Sequence, residues 1–545
     1  MQVHNRKRKA SCCFSEFQRC AGEFFREYKS TVCFGLLYGA ILYSLMMIHQ
    51  LTNTFDGLWI QNYYLSDVAE LSSGRWLLGY IDQFFRGIHA DPITTMIALA
   101  LYILAFVFVL ELFRLKDKLG RCLCLAMFLS STTISCTLSY RFTSVAYGLA
   151  CFLAVLSIYS MIKCRNHVLA VVIGGVCLGL SMACYQAYLA VFCTVALFYV
   201  LFCCKDAQPF AAGKGFGCFV LRILCGMGFA AIFYKLSLSL CLKLQNATLS
   251  SYNGVDQVSI GSLLANLPRS IVKIYRYFYA YFFMDKLKIN TLQPSGVFYA
   301  LLALLAGLLI FLAVKAWRTD KKRLLLLLPA AAVIPLACNA YMLLAGDKLE
   351  LQMTAALALV APLTLVLAFV CFAQKGAVKL VCACLCAVLA YGGAMQVWTD
   401  QEAMYEGQNA CDTMMTQVLS DLSREELLST DYEYLFIGVP RENPHFSVSS
   451  TYDSANAYAQ LGRFWVNDGC GQSSYNGLFN RRLGFTLPVS WMPYEKASDQ
   501  MNLEEMPVFP TDGYIALLDS KTVVVKISEY WSYSGDSKYS FDECE

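Results

Sequence analysis

The chain is poor in charge. Lys, Arg, Asp and Glu supply 15% of its 545 residues, against about 25% in an ordinary soluble domain. With 57% of the residues apolar, a soluble globular protein and a disordered chain are both excluded. Alternating apolar and polar runs are lacking, which argues against a transmembrane β-barrel. Basic residues occur in short loops between apolar runs, so nucleic-acid binding has no support. No P-loop, GxGxxG or HExxH motif is present. The five His (His4, His49, His89, His167 and His445) show no metal-ligand spacing, so no structural metal is expected. No cofactor is called for, and a divalent cation stays open. Internal repeats, low-complexity segments and Gly/Ser linkers are absent too.

What the chain does have is long apolar runs. A spanning helix needs about 20 apolar residues. Runs near 31–51, 92–112, 121–138, 142–162, 168–183, 185–203, 217–242, 295–316, 323–345, 351–372 and 377–397 meet that length or approach it. The sequence therefore predicts an all-α polytopic membrane protein of about eleven transmembrane helices. The pair 168–183 and 185–203 also reads as one broken or re-entrant element. Most of the 25 Cys lie in these runs, where they act as small hydrophobes. Cys411, Cys470 and Cys544 fall in the polar C-terminal region, which limits it to one internal disulfide. The first run follows a basic leader, residues 1–30, and reads as an uncleaved anchor.

Orientation follows from the loop charges. With the N-terminus inside, the leader and the loops near 114–121, 163–165, 205–214, 315–323 and 375–379 hold roughly 22 Lys and Arg, against about 9 in the opposite loops. This predicts a cell-membrane protein with a cytoplasmic N-terminus, a multi-span domain over 31–397, and an extracytoplasmic C-terminal domain over 398–545. That last domain enters through a helical stretch near Gln401–Leu428. Its strand-like runs, Tyr434–Val439 and Tyr514–Ile527, make it α/β or β-rich.

Two outer loops are long, 52–91 and 244–294. In the first, Asp56 sits just past a span, at headgroup depth, where an acid is costly unless paired or solvated. It is followed by a stretch with apolar residues every three or four positions (Val68, Leu71, Trp76, Leu77, Leu78, Ile81, Phe84 and Phe85), a helix lying in the membrane interface. The alternative is a plain connector with a solvated acid. Cations that could meet a phosphate are Arg75, Arg141 in a minimal outer turn, Lys235, and Arg269 and Arg276, which share one helical face. Lys235 also reads as snorkelling to the headgroups, and Arg269 and Arg276 as touching lipid phosphates. Asp347, Lys348 and Glu350 fill a short outer turn, which reads as a bland loop or as an addition to the site. Tyr185 and Gln186 could stack on a sugar and hydrogen-bond it, or could join helices.

An acid past the first span, the segment Gly74-Arg75-Trp76-Leu77, and the stretch Ser181-Met182-Ala183-Cys184-Tyr185-Gln186-Ala187-Tyr188-Leu189 together resemble the bacterial serotype-converting, O-antigen-type membrane glucosyltransferases of the GT-C class. The likeness covers roughly residues 30–400. It implies a GT-C-like bundle. The activity it implies moves a hexose, glucose by the family's name, from a polyprenyl-phosphate donor to a cell-surface glycan on the outer side. On that reading Asp56 is the catalytic base, and the Arg and Lys candidates bind the donor phosphate. Tyr185 and Gln186 then bind sugar or acceptor. Family members often carry two adjacent acids after the first span. Here Gly57 follows Asp56, so the partner acid is missing or supplied elsewhere, with Asp67 and Glu70 as the candidates. A transporter or flippase of lipid-linked glycans is the alternative. Few mid-membrane charges and no repeated halves speak against it.

Overall fold

A computed structural model describes residues 2–54, 56–60, 64–66, 68–205, 210, 215–250, 260–283, 295–343, 349–463 and 470–529. It is 72% helix. The long helix α1 (Gln2–Leu42) breaks at Tyr43 into α2 (Ser44–His49), and three short helices follow: α3 (Asp56–Ile60), α4 (Val68–Ser72) and α5 (Trp76–Phe84). The bundle then builds through α6 (Ile93–Leu112), α7 (Lys118–Leu129), α8 (Thr132–Ser139), α9 (Ser144–Lys163), α10 (His167–Cys184), α11 (Leu189–Cys203) and α12 (Phe216–Leu244). It continues with α13 (Ile260–Phe283), α14 (Ser295–Thr319), α15 (Lys321–Ala332), α16 (Ile334–Cys338), α17 (Ala355–Cys371) and α18 (Gly376–Arg424).

Among the described residues, seven helices are long and apolar enough to cross a membrane, and eight if α7 and α8, bent by 52°, count as one. The eleven predicted runs all contain helix, but several are interrupted. The run 323–345 divides at Val333, where Pro329 and Pro335 each remove a helix hydrogen bond. Run 351–372 gives only the 17 residues of α17. Runs 168–183 and 185–203 are two separate helices. Tyr185 adopts an extended backbone between them, and a single 3₁₀ turn, Gln186–Tyr188, leads into α11.

Local sequence explains the breaks. Asp117 caps α7 by accepting from the Gly120 N–H (2.8 Å), and Asn166 caps α10 through the Leu169 N–H (3.1 Å). Ser131 does the same for α8, so the Ser130-Ser131 pair stops one helix and starts the next. The polar helix α8 is buried along its whole length, which puts it at the centre of the molecule.

The last predicted run and the helical stretch after it are one helix. α18 has 49 residues, roughly 74 Å of axial rise, more than twice the ~30 Å hydrocarbon thickness of a bilayer. Its far half therefore stands beyond the apolar bundle. Around that half folds a small unit. It contains strands β1 (Glu433–Ile437), β2 (Ile515–Leu517) and β3 (Thr522–Lys526), with the short helices α19 (Ser450–Ser454), α20 (Cys470–Gly477) and α21 (Tyr494–Ser498). The sheet order is β1-β3-β2, with β1 parallel and β2 antiparallel to β3. Tyr434 pairs with Val523 and Phe436 with Val525, and every residue of β3 is buried.

Candidate active site

Asp56 occupies the first turn of α3, where the free N–H groups of a helix start favour a carboxylate. The turn before it is buried and fixed. The Ser139 carbonyl, at the end of α8, accepts from the Thr52 hydroxyl (3.3 Å), the Asn53 N–H (3.3 Å) and the Asn53 side-chain amide (3.2 Å). Thr54 donates its N–H to the Tyr458 carbonyl at 2.9 Å, so the unit around α18 holds the same turn from the other side. Asn53 accepts from the Gly57 N–H (3.2 Å). A Cβ on Gly57 would lie 1.7 Å from the Thr52 hydroxyl oxygen, so no second acid fits next to Asp56.

The two motifs meet in space. Gln186 donates to the Ser73 carbonyl (2.9 Å) and to the Tyr234 hydroxyl (3.1 Å), and Tyr234 donates to the Gly74 carbonyl (2.9 Å). Gly74 has a φ of +87°, and a Cβ there would lie 2.4 Å from the Tyr234 oxygen and 2.6 Å from Gln186 Nε2. This clasp sets Arg75 over the Tyr185 ring, 4.9 Å from guanidinium carbon to centroid. Tyr185 meets Tyr147 edge-on at 5.0 Å, and Tyr147 meets Tyr140 at 6.2 Å. Tyr147 feels the charges of both Arg75 and Asp56. A tyrosine wall, Tyr185, Tyr147 and Tyr140, thus runs from the cation to the end of α8, whose Ser139 carbonyl holds the turn before Asp56.

A second carboxylate, far along the chain, adds its charge to the surroundings of this wall. Burial foremost, then Cys136, Asp56 and Glu350, hold the Tyr140 phenol well above its ordinary range. Tyr185 is raised by burial and by Tyr147, eased by Arg75, and raised further by Glu350. Glu350 is half-buried and opens the 3₁₀ turn Leu351–Met353, which packs on α8; Thr354 and Thr133 join the two through hydroxyls 2.6 Å apart. The sequence leaves this residue between a bland outer turn and an addition to the site. Its proximity to Tyr140 and Tyr185 depends on tertiary packing alone, as does that of Tyr234.

The other candidates are spread out. Glu70 is half-buried and accepts from the Tyr64 hydroxyl; its carbonyl accepts from the Arg75 N–H (2.9 Å), and the two residues line one small cavity. Arg141 is buried and engaged internally: it pairs with Asp91 (3.0 Å) and donates to the Gln50 carbonyl (3.0 Å), the Gln50 side chain (3.2 Å) and the His89 carbonyl (3.0 Å). Lys235 lies on the exposed face of α12, between exposed Ile232 and Leu236. Arg269 and Arg276 are exposed too, away from the buried face of α13 made by Ile274, Tyr277 and Tyr281. Asp67, Asp347, Lys348 and Cys544, and much of loop 244–294, lie outside the described residues. Among the described residues, no group of three or more His, Cys, Asp or Glu could hold a metal ion. Beneath the clasp, burial pushes the Asp82 carboxyl up to about 6 against hydrogen bonds from Ser66, and lowers His89, whose Nε2 is 3.7 Å from Asp82. The exposed side of α5 carries Tyr80 and Phe84, with Ile88 just beyond; Phe84 is 82% exposed, as an interface-gripping helix requires.

The family model described as Glucosyl transferase GtrII matches residues 45–373, more than half of the chain. The chain belongs to the GtrII glucosyltransferase family. No curated protein and no solved structure matches it significantly. The GtrII match encloses Asp56, Arg75, Tyr140, Tyr185, Gln186, Tyr234 and Glu350, and stops before α18 and its sheet. Membership directs the chemistry to glucosyl transfer, with a sugar donor and a glycan acceptor, and the apolar helices imply a bilayer.

Proposed function

We propose that this GtrII-family chain transfers glucose from a polyprenyl-phosphate donor to a cell-surface glycan at the outer face of the cell membrane. The observation that carries the reading is the Gln186–Tyr234–Gly74 clasp, which sets Arg75 on the tyrosine wall that runs to the end of α8, where the turn before Asp56 is held. Nucleotide sugars are cytosolic, whereas a lipid-linked donor reaches an outward site beside an interfacial helix. The N-inside, C-outside topology read from the loop charges sets Asp56 on that outer side.

In this reaction Asp56 takes the proton of the acceptor hydroxyl. The acceptor oxygen bonds to the anomeric carbon as the bond from that carbon to the phosphate oxygen breaks. The electron pair leaves with the polyprenyl phosphate, whose charge Arg75 stabilises. A single in-line displacement inverts the anomeric centre. The tyrosine wall offers aromatic faces to the sugar. Glu350 joins Asp67 and Glu70 as a candidate second carboxylate, to bind sugar hydroxyls or to bias the protonation of its neighbours. Arg141 acts as a structural pin, and Lys235, Arg269 and Arg276 act at the lipid surface.

The test is sugar transfer in membrane vesicles supplied with labelled polyprenyl-phosphate glucose and an extract of the cell's own surface glycan. Wild type and Asp56→Asn are compared at equal expression. Label moved by wild type and not by the variant supports the reading. Equal transfer by both removes Asp56 as the base, and no transfer by wild type removes the donor assignment.

A further inference from the structure

The part of α18 that stands beyond the bundle faces a long groove of about 740 Å³, well outside the Asp56 cluster. One wall is a single helical face. Glu406, Asn409, Thr413 and Gln417 recur at spacings of three and four, and the last three are exposed. The opposite wall is the loop containing His445 and Ser447. Asn443 fixes that loop by donating to the Phe509 carbonyl (2.8 Å) and to the Ile527 carbonyl at the end of the sheet. Glu406 accepts from the N–H and the hydroxyl of Ser449, both at 3.0 Å, which ties the walls together at one end.

The lining selects a ligand class. It contains no Lys or Arg, so a phosphate, a lipid headgroup or a nucleic acid would find no counter-charge. Its single carboxylate is already met by two donors. Amides, hydroxyls and an imidazole can each donate or accept, and Ala410, Met414, Val448, Phe509 and Pro510 add apolar surface. A neutral ligand with many hydroxyls and one apolar face, a chain of pyranose rings, fits that pattern. From Glu406 to Gln417 the helix rises roughly 16 Å, enough for several rings in a row.

The groove is also coupled to the catalytic turn. Asp400, about 9 Å below Glu406 on the same helix, accepts from the Tyr458 hydroxyl (2.7 Å), and the Tyr458 carbonyl accepts from Thr54, two residues before Asp56. We infer that this groove is the binding site for the acceptor glycan, holding the saccharide chain while one of its hydroxyls is presented to Asp56. The inference rests on the glucosyl-transfer reading and assigns it an acceptor subsite in a region that the family match does not cover.

The test is direct binding, separate from catalysis. Fragments of the source cell's surface polysaccharide, tagged with a fluorophore, are titrated against the full-length protein in nanodiscs. The proteins compared are wild type, Thr413→Trp, the pair Asn409→Ala with Gln417→Ala, and Asp56→Asn. The expected result is binding by wild type and by Asp56→Asn, weakened about tenfold or more in both groove variants. Thr413 and Gln417 are exposed, and matching melting temperatures verify that the variants are folded. Groove variants that bind like wild type, or a wild type that binds no fragment, overturn the assignment. Transfer from labelled polyprenyl-phosphate glucose is read in the same nanodiscs. Its absence in wild type sinks the glucosyl-transfer reading, whereas transfer that persists with unaltered acceptor KM in the groove variants sinks the groove alone.

Discussion

The guanidinium carbon of Arg75 sits over the ring of Tyr185, 4.9 Å from its centre, although 110 positions of chain separate the two. The contact stacks the cation on the tyrosine wall through attraction to the ring's quadrupole. Replacing Arg75 by Ala is expected to lower kcat by about 10²–10³, the usual loss for one charge-stabilising donor. Arg75→Lys recovers only part, since an ammonium lacks the planar fork that both stacks and binds phosphate oxygens. Tyr185→Phe keeps the ring and stays near wild type, while Tyr185→Ala loses roughly tenfold. Steady-state transfer kinetics in vesicles check the order: Lys at or above wild type would show that Arg75 does not meet the donor.

Asp56 and Glu350 both raise the Tyr140 phenol, and the proposed reaction gives them different tasks. Loss of the base, Asp56→Asn, removes about 10²–10⁴ in rate with little change in donor binding. Glu350→Gln keeps the shape and hydrogen-bonding reach of the side chain and removes its charge. A smaller loss, about tenfold, is expected there, together with a shift in the pH–rate profile. The two profiles distinguish the roles. If Glu350→Gln abolishes transfer and Asp56→Asn does not, the assignments are reversed.

Gly74 tests the clasp. Its φ of +87° and the 2.4 Å approach of a Cβ to the Tyr234 oxygen leave no room for Ala. Gly74→Ala is expected to cost about 1–3 kcal/mol of stability and to reduce transfer. Gln186→Ala, which leaves the backbone alone, should reduce transfer with a smaller fall in melting temperature. Equal activity in wild type and Gly74→Ala would mean that the clasp does not position Arg75.

Much of this architecture can be read along the chain, and the exceptions share one cause. Apolar runs and caps such as Asp117 and Asn166 are local signals, so the main helices fall where the periodicity puts them. The Gly74–Leu77 and Ser181–Leu189 segments are each visible alone, but only the fold brings them into contact. Arg141 looks like a free cation in a short turn until Asp91, Gln50 and His89 close around it. Glu350 looks like an exposed turn residue until its 3₁₀ turn docks on α8. The 49 residues of α18 hide behind a change in composition near Trp398 that does not interrupt the helix. For the clasp, Arg141 and Glu350 the decisive partner is tens to hundreds of residues away, and no local pattern encodes it.

Asp82 gives the fold its own pH dependence. Its side chain is fully buried on α5, beside His89, and burial pushes its carboxyl up from 3.8 to about 6. The folded state thus prefers the proton-bound form. Below pH 3.8 the folded and unfolded chains both carry that proton. Between pH 3.8 and about 6 the unfolded chain releases it first, so stability falls as pH rises, by about 3 kcal/mol across the window, and stays lower above it. Asp82→Asn removes the titration while keeping an acceptor for the Ser66 N–H, which Asp82 binds at 2.9 Å. Melting curves from pH 4 to 7 should then show the variant's stability falling less steeply than that of wild type, with its advantage greatest at pH 7. His89, held below its ordinary value by burial, opposes this trend because its own charging destabilises the fold at the acidic end. A double variant, Asp82→Asn with His89→Gln, separates the two contributions. Identical pH slopes in wild type and Asp82→Asn would show that the carboxyl titrates in its ordinary range and that the pocket beneath α5 admits water.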